Sequence, residues 1–216
     1  MNLNVLKKYS LWIFSILVNS FGNFMLIKGD IGSGPWVAAS MGIADAFTLQ
    51  VGTCTIILNF LIYIPITIIS KKLNIFKLLG SFFVAYIFGI FLNFFLNSLS
   101  WVHPETLITK SLFFIIGNLI LSCGISIYLR LNIAVNPFDQ FLKTVNDYLI
   151  PDMKKANYVY LGVPFIIALI FGAYNRSLPG IGIGTLIMLL FNGNFIKFFN
   201  KKIVIPQHIL TPRRYM

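Results

Sequence analysis

The side chains best placed to bind a ligand are amides and hydroxyls that interrupt long apolar runs. Asn19 and Asn23 lie four residues apart in the first run, and Ser122 and Ser126 share that spacing in the fourth. Residues four apart lie on one face of a helix. Such side chains commonly bond across helices in a membrane. As a set they can instead line a polar cavity, and we predict that Asn19 and Asn23 do so.

Two short segments that begin with proline add further candidates. They contain Gly34-Pro35-Trp36 and Asn136-Pro137-Phe138-Asp139. Proline is common at the first position of a helix, and a helix start carries free N–H groups and the positive end of the helix dipole. We predict that a polar or anionic ligand contacts Trp36, Asn136 and Asp139. The turns that hold these residues are formed by Gly34, Pro35 and Pro137.

A glycine-rich turn, Gly180-Ile181-Gly182-Ile183-Gly184-Thr185, opens the last apolar run. It is not a phosphate loop, because no Lys-Ser/Thr pair follows it. Its glycines either allow close packing against a neighbour or unwind the helix start so that N–H groups face a ligand. We predict that Gly182 and Thr185 contact the ligand and that Gly180 and Gly184 form the turn.

Catalytic and metal-binding patterns are missing from the sequence. The one glutamate, Glu105, and the two histidines, His103 and His208, lie in a loop and in the tail. HExxH, GxSxG and Walker patterns do not occur. Cys54 and Cys123 lie within apolar runs without a CxxC partner. We therefore predict that the protein is not an enzyme and holds neither a metal nor a cofactor.

The composition indicates that lipid surrounds most of the chain. Hydrophobic residues make up 57% of the 216 residues and charged residues 11%, whereas a soluble domain carries about a quarter charged residues. The net charge of +11 is spread between apolar runs and does not form one basic face. This distribution is typical of membrane topology signals rather than of nucleic-acid binding.

Six apolar runs are each about 20 residues long, which is the length that crosses a bilayer as a helix. The sequence thus predicts an all-α membrane protein that forms a single membrane domain over residues 1–216. Pro65 and Pro164 lie within the second and fifth runs and are expected to kink them. The runs are Tyr9 to Ile27, Val51 to Ser70, Phe76 to Leu99, Thr109 to Leu129, Ala156 to Tyr174 and Ile181 to Phe199.

The lysines and arginines predict the orientation of these spans. Six spans place both termini on one side, which then holds fourteen basic residues, including Lys71, Lys72, Arg213 and Arg214. The other side holds Lys28, Lys110 and Arg176. Cytoplasmic loops carry the excess of Lys and Arg, so we predict a bacterial inner-membrane protein with both termini in the cytoplasm.

The two proline-led motifs also indicate an internal repeat. They lie 102 positions apart, and alignment at this offset places Lys28 on Arg130, Pro35 on Pro137 and Gly80 on Gly182. The predicted repeats cover residues 5–100 and 107–202, and a basic cytoplasmic tail follows over 203–216. Three spans per repeat is an odd number, so the second repeat enters the membrane from the opposite side, which is the inverted arrangement of many transporters.

Each repeat contains one short helix after its first span, Pro35 to Phe47 and Pro137 to Leu149. At about 13 residues, neither is long enough to cross the membrane. They are either interfacial helices on the two membrane surfaces, which we favour, or re-entrant half-helices that enter from opposite sides. Lys28 and Arg130, which precede them, are either interfacial anchors or parts of two gates around a central site.

The motifs resemble those of the YczE/YyaS/YitT class of small bacterial integral membrane proteins. The resemblance covers about residues 8 to 200 and is carried by Gly32-Ser33-Gly34-Pro35-Trp36, Asn136-Pro137-Phe138-Asp139 and Gly182-Ile183-Gly184-Thr185. Since that class has no assigned activity, the resemblance implies the fold more than the function.

An inverted repeat with paired short helices is typical of transporters. We predict that the protein transports a small molecule, or binds one for transport, with the lipid bilayer around it. One alternative is an accessory protein that scaffolds a membrane-bound biosynthetic or regulatory partner. Another is the substrate-binding membrane subunit of an ATP-driven vitamin-type uptake complex. Such subunits carry alanines at spacing four in their first helix, where this chain has Ser15, Asn19 and Asn23.

Overall fold

The computed structural model describes residues 3–71, 75–131, 133–134, 136–206 and 209. Lys72, His208, Arg213 and Arg214 lie outside these residues, as does most of the tail that begins at residue 203. All regular elements of the described part are α-helices. They are α1 Leu3–Gly29, α2 Pro35–Phe47, α3 Val51–Leu61, α4 Tyr63–Ser70, α5 Ile75–Ser98, α6 Leu107–Leu131, α7 Pro137–Tyr148, α8 Met153–Asn175 and α9 Ile183–Lys202.

Six segments of the described chain are long and apolar enough to cross a membrane. They coincide with the six apolar runs of the sequence, so the prediction of an all-α protein with six segments long and apolar enough to span a membrane is confirmed. Large apolar side chains cover their outer surfaces; Ile68 is 69% exposed and Leu190 72%, as expected for a lipid-facing surface. The segments are Leu3–Gly29, Val51–Ser70, Leu78–Ser98, Leu107–Leu131, Tyr158–Asn175 and Ile183–Lys202.

The two prolines inside spans have different effects. The second span is interrupted at Ile62, between α3 and α4. Pro65 accounts for this break, because a proline ring clashes with the carbonyl four residues earlier, here that of Leu61. The fifth span, α8, continues through Pro164 as one helix.

The central pair of helices, α1 and α6, packs antiparallel. Gly29, at the end of α1, lies beside Lys110 at the start of α6, whereas Gly124 in the second half of α6 lies against Asn19. A Cβ atom on Gly22 would lie 2.5 Å from the backbone nitrogen of Leu121, and one on Gly124 would lie 2.7 Å from that of Asn19. The missing side chains therefore let the two backbones touch, as small residues do at membrane helix interfaces.

The two short helices begin next to each other. The rings of Trp36 in α2 and Phe138 in α7 stack with their centroids 4.0 Å apart and their planes at 12°. From this point α2 follows α8: Trp36 lies 5.9 Å from Tyr160, between ring centroids, and the Asn175 side chain donates to the carbonyl of Gly42 at 2.9 Å. Helix α7 ends at Tyr148, close to the start of α8.

The ends of α1 and α6 are tied to the ends of other spans by basic side chains. Lys28 Nζ donates to the carbonyl of Ser100, just after α5, at 3.0 Å. Arg130 Nη1 donates to the carbonyl of Ile203, just after α9, at 2.6 Å. In both places a cation satisfies a carbonyl beyond the C-terminus of a helix, where partners within the helix are lacking.

Candidate functional site

A cavity of about 160 Å³ lies where α2 and α7 begin, and α1, α6, α8 and α9 form much of its wall. Of the residues predicted to bind a ligand, Asn19, Asn23, Trp36, Asn136 and Asp139 line this cavity. The structure thus brings together residues from both halves of the sequence. The polar side chains of the lining belong to Asn19, Asn23, Thr55, Tyr128, Asn136, Asp139, Tyr160 and Asn192.

Asp139 is the one carboxylate of the cavity lining. It lies in the first turn of α7, where the positive end of the helix dipole favours a negative charge. The hydroxyl of Tyr128 donates to its carboxylate, and the hydroxyl of Tyr160 also interacts with it. Because a carboxylate offers about four lone-pair positions, two phenols leave part of its accepting capacity free toward the cavity.

Trp36 contributes to the cavity wall, while its indole donor is enclosed by protein. The residue is 6% exposed, and its indole Nε1 has no hydrogen-bond partner among the described groups. Nε1 lies toward the Tyr160 hydroxyl without reaching hydrogen-bond geometry. A buried donor without an acceptor costs about 1–3 kcal/mol, and the Tyr160 hydroxyl is the group placed to reduce this cost.

The starts of the two short helices differ in their capping. At α7 the side chain of Asn136 accepts a hydrogen bond from the N–H of Phe138 at 2.9 Å. At α2 the capping residue is Gly34, which has no side chain to accept one. The first α2 amide with an acceptor in the described chain is that of Ala38, which donates to Gly34. The N–H groups of Trp36 and Val37 are therefore available at the cavity wall.

Two asparagines of the cavity wall, Asn19 and Asn23, are hydrogen-bonded to each other. Asn23 Nδ2 donates to the side-chain oxygen of Asn19 at 2.9 Å and to its carbonyl at 3.0 Å. This pairing uses neither the Nδ2 of Asn19 nor the Oδ1 of Asn23. Asn192 on α9 bonds through its Oδ1 to the hydroxyl of Ser122 at 2.9 Å, which orients its amide.

Gly182 and Thr185 are not among the residues that line the cavity, contrary to the sequence prediction. Thr185 Oγ1 donates to the carbonyl of Gly180 at 3.0 Å and accepts from the N–H of Gly182 at 3.2 Å. The polar groups of this turn therefore bond to one another. Together they cap the start of α9.

The glycines of the same turn hold it against the loop before α2. The N–H of Gly184 donates to the carbonyl of Ile31 at 3.0 Å, and the N–H of Ser33 donates to the carbonyl of Gly180 at 2.8 Å. A Cβ atom on Gly182 would collide with the carbonyl oxygen of Ile31. Close packing, one of the two interpretations of the turn, therefore describes its geometry.

Sequence reasoning missed Tyr128, Tyr160, Thr55 and Asn192. The two tyrosines are counted as apolar in a hydropathy reading, although a buried tyrosine usually finds a partner for its hydroxyl. Ser122 and Ser126 share a face as predicted, but each bonds to an asparagine of α9, Asn192 and Asn200. These pairings depend on which helices are neighbours, and spacing within one helix does not specify that.

The free polar groups of the cavity are mostly donors, and they face one carboxylate. Donors are supplied by the first amides of α2 and the Nδ2 atoms of Asn19 and Asn136. Within the described residues, no group of three His, Cys, Asp or Glu side chains is arranged to hold a metal ion. Hydrogen bonding and charge are thus the means by which this wall can recognise a molecule.

Comparison with known proteins gives three informative matches. Residues 6–201 match the family described as "Family of unknown function (DUF6198)". The chain is 26% identical over 208 residues to "Uncharacterized protein YyaS" of Bacillus subtilis (strain 168), which covers 96% of this chain and 98% of YyaS. It is 22% identical over 201 residues to "Uncharacterized membrane protein YczE" of the same organism, covering 92% and 87% of the two chains. The predicted resemblance to YczE and YyaS is therefore confirmed. No solved structure matches this chain.

Proposed function

We propose that this chain, which belongs to the family of unknown function DUF6198, transports a small polar molecule across the membrane through the cavity where α2 and α7 meet. One observation carries this proposal. A polar cavity with a carboxylate and unpaired donors lies among membrane-spanning helices, where unsatisfied polar groups are costly. Polar residues inside a membrane that are not needed for packing mark substrate or ion pathways.

An inverted repeat supports transport, because it provides two related conformations of one site. The contacts of α1 and α6 agree with such a repeat. At the 102-residue offset Gly22 corresponds to Gly124, and Leu121 to Asn19. The approach of Gly22 to Leu121 is thus the counterpart of the approach of Gly124 to Asn19. A twofold axis between the two antiparallel helices would account for both contacts.

Three further contacts follow the same relation. Trp36 stacks on Phe138, its own counterpart. Lys28 and Arg130, also counterparts, each bond to a carbonyl beyond the third span of one repeat. The pair Gly182 and Gly32 corresponds to the pair Gly80 and Ala134, and both pairs are close. Contacts of four kinds at one offset favour two repeats, near 5–100 and 107–202, over chance similarity of apolar segments.

For α2 and α7 we infer the re-entrant alternative. Their starts are joined by the Trp36–Phe138 stack. The C-terminal half of α2 is bonded to the end of α8 through Gly42 and Asn175, whereas α7 leads into the start of α8. Two short helices that diverge from one point toward opposite ends of a spanning helix together cover its length. Two interfacial helices on opposite surfaces would be separated by about 30 Å of hydrocarbon.

This arrangement suits alternating access to one site. The loop before α2 is bonded to the turn at Gly180–Thr185, while its counterpart before α7 lies near Gly80 on α5. We propose that these are the two gates and that rocking of the repeats opens one as it closes the other. Non-helical backbone at this depth is tolerated because it faces a cavity rather than lipid.

The charge bias supports a bacterial inner-membrane location with cytoplasmic termini. Fourteen of the 17 Lys and Arg residues fall on the side of the termini, in agreement with the positive-inside pattern.

The vitamin-type alternative is less well supported by the cavity. A volume of about 160 Å³ resembles that of an engineered cavity that binds benzene, which is far smaller than a vitamin.

Uptake into liposomes tests the proposed function. The full chain is reconstituted, and uptake of small radiolabelled solutes (amino acids, amines, carboxylic acids and polyols) is compared with protein-free vesicles. We expect saturable uptake of at least one solute, which Asp139→Asn lowers at least tenfold. Asp147→Asn, on the exposed end of the same helix, is the matched control and should leave uptake unchanged. Absence of uptake in this panel, with folded protein in the vesicles, would contradict transport and favour the scaffold alternative.

A further inference from the structure

We infer that the cavity binds a small organic ammonium cation, with its charged nitrogen at the Asp139 carboxylate and its hydrocarbon part against the apolar wall. This inference rests on the proposed function, because it names the class of molecule that the same cavity accepts. It follows from three properties of the wall: its charge, its aromatic surfaces and the volume that it encloses.

Asp139 brings a carboxylate to the cavity without a cationic partner. The residue lines the cavity and keeps part of its surface accessible. Among the residues that the structure describes, no Lys, Arg or His belongs to the cavity lining. A charge that is withdrawn from water is unfavourable unless an opposite charge lies beside it. A positive charge is therefore the component that this wall lacks.

The polar partners of Asp139 do not supply that charge. The Tyr128 hydroxyl donates to the carboxylate, and the Tyr160 hydroxyl also interacts with it. Both are neutral donors, and a carboxylate offers about four lone-pair positions. The dipole of α7 favours a negative charge here, but it is equivalent to only about half an elementary charge. An ammonium group supplies a whole positive charge and donates to the remaining positions.

The aromatic rings beside Asp139 favour an organic cation. The ring of Phe138, the preceding residue, stacks on Trp36 with the centroids 4.0 Å apart. The ring of Tyr160 lies 5.9 Å from that of Trp36, and all three residues line the cavity. Aromatic faces attract ammonium groups within about 6 Å, most strongly where water is excluded. Hard inorganic cations instead prefer a shell of oxygen ligands.

The rest of the wall suits a short hydrocarbon chain. Burial of such a chain against apolar side chains is favourable. The volume of about 160 Å³ limits the ligand to roughly the size of benzene or slightly more, about six to eight non-hydrogen atoms. Ethylammonium, propylammonium and butylammonium fall below this limit. The apolar side chains of the lining are those of Phe88, Leu121, Ile125, Leu161, Met188 and Leu189.

The test compares ammonium ions with uncharged and anionic molecules of similar size. Binding of ethylammonium, propylammonium, butylammonium, propan-1-ol and propionate to the purified full chain in lipid nanodiscs is measured by calorimetry. The buffer is potassium phosphate, which contains no amine, and protein-free nanodiscs correct for partition into lipid. We expect at least one ammonium ion to bind at least tenfold more tightly than propan-1-ol and propionate, because neither of these forms a charge-assisted contact with a carboxylate.

Two variants with matched controls locate the site. Asp139→Asn keeps the shape of the side chain but removes its charge, and should weaken ammonium binding at least tenfold, whereas Asp147→Asn should not. Phe138→Leu removes a ring face and should weaken ammonium binding threefold or more. Phe141→Leu is its control, because Phe141 is also buried on α7 but does not line the cavity. Thermal unfolding of each variant verifies that it is folded.

The outcomes separate this inference from the proposed function. The inference is overturned if propan-1-ol or propionate binds as tightly as the ammonium ions, if no ammonium ion binds, or if Asp139→Asn leaves binding unchanged. Because potassium is present in excess, a site that prefers an inorganic cation also shows no ammonium binding. Uptake of a solute of another class would then leave transport standing. If an ammonium ion binds with the predicted response to Asp139→Asn but is not taken up by proteoliposomes, the site is correct and transport is wrong.

Discussion

Replacing Gly22 by alanine is the perturbation whose effect the structure defines most closely. The added Cβ atom would lie 2.5 Å from the Leu121 backbone nitrogen and 2.8 Å from the Gly117 carbonyl oxygen. Both atoms belong to the backbone of α6, so no side-chain rotation relieves the contact. The two central helices must separate by about 1 Å to restore van der Waals distances, and such a gap forfeits a quarter to a half of the dispersion energy.

The expected cost follows from these distances. Overpacking of a tight interface typically destabilises a protein by about 1–3 kcal/mol, while alanine in place of an interior helical glycine returns up to about 1 kcal/mol. We expect Gly22→Ala to be destabilising by about 1–2 kcal/mol net. Gly124→Ala should cost about the same, because its Cβ would lie 2.7 Å from the Asn19 nitrogen and 2.8 Å from the Ser15 carbonyl oxygen.

Reversible unfolding in mixed micelles, followed by circular dichroism, measures these differences. Gly193→Ala is the control, because a Cβ atom there meets nothing within 4 Å and should leave stability unchanged or raised. The reasoning is refuted if Gly22→Ala is as stable as Gly193→Ala. Unequal costs at Gly22 and Gly124, with one near zero, would instead contradict the twofold relation of the two helices.

Two further predictions address the turn and the topology. Gly182→Leu should abolish uptake while the protein still reaches the membrane, because the new side chain collides with the Ile31 carbonyl and displaces the loop before α2. Gly193→Leu, on an open surface, should retain uptake. Full uptake by both variants would show that the turn has no part in transport. Single cysteines beside Lys71 should be protected from an impermeant reagent in intact cells, whereas those beside Pro104 and Arg176 should react; the reverse pattern would overturn the orientation and the positive-inside argument.

The elements of the fold were largely predictable from the sequence. Each span is an apolar run of membrane length, and the hydrocarbon leaves a helix as the only conformation for it. The short helices were also predictable, since proline marks their first residues: Pro35–Phe47 matches the prediction, and the second ends at Tyr148 rather than Leu149. In both cases local chemistry alone decides the structure.

The composition of the site depends on neighbours that the sequence does not specify. Asp139 was predicted from its motif, but its partners Tyr128 and Tyr160 lie on other helices within apolar runs. The glycine turn before α9 is predicted to contact the ligand because its glycines could unwind the helix start and turn N–H groups toward a ligand. The Thr185 hydroxyl instead bonds to groups of the turn itself. Which partner this hydroxyl finds depends on the path of the backbone.

Accessibility of the cavity from both sides of the membrane tests the central claim most directly, because it requires no knowledge of the substrate. Thr55→Cys places a thiol in the cavity wall, in a chain that also carries Cys54→Ala and Cys123→Ala. Thr185→Cys, buried outside the cavity, is the control. An impermeant maleimide is applied to right-side-out and to inside-out vesicles. Alternating access predicts that the thiol at position 55 reacts in both preparations and the thiol at position 185 in neither. Reaction of position 55 from one side alone, or from neither, would contradict transport through this cavity.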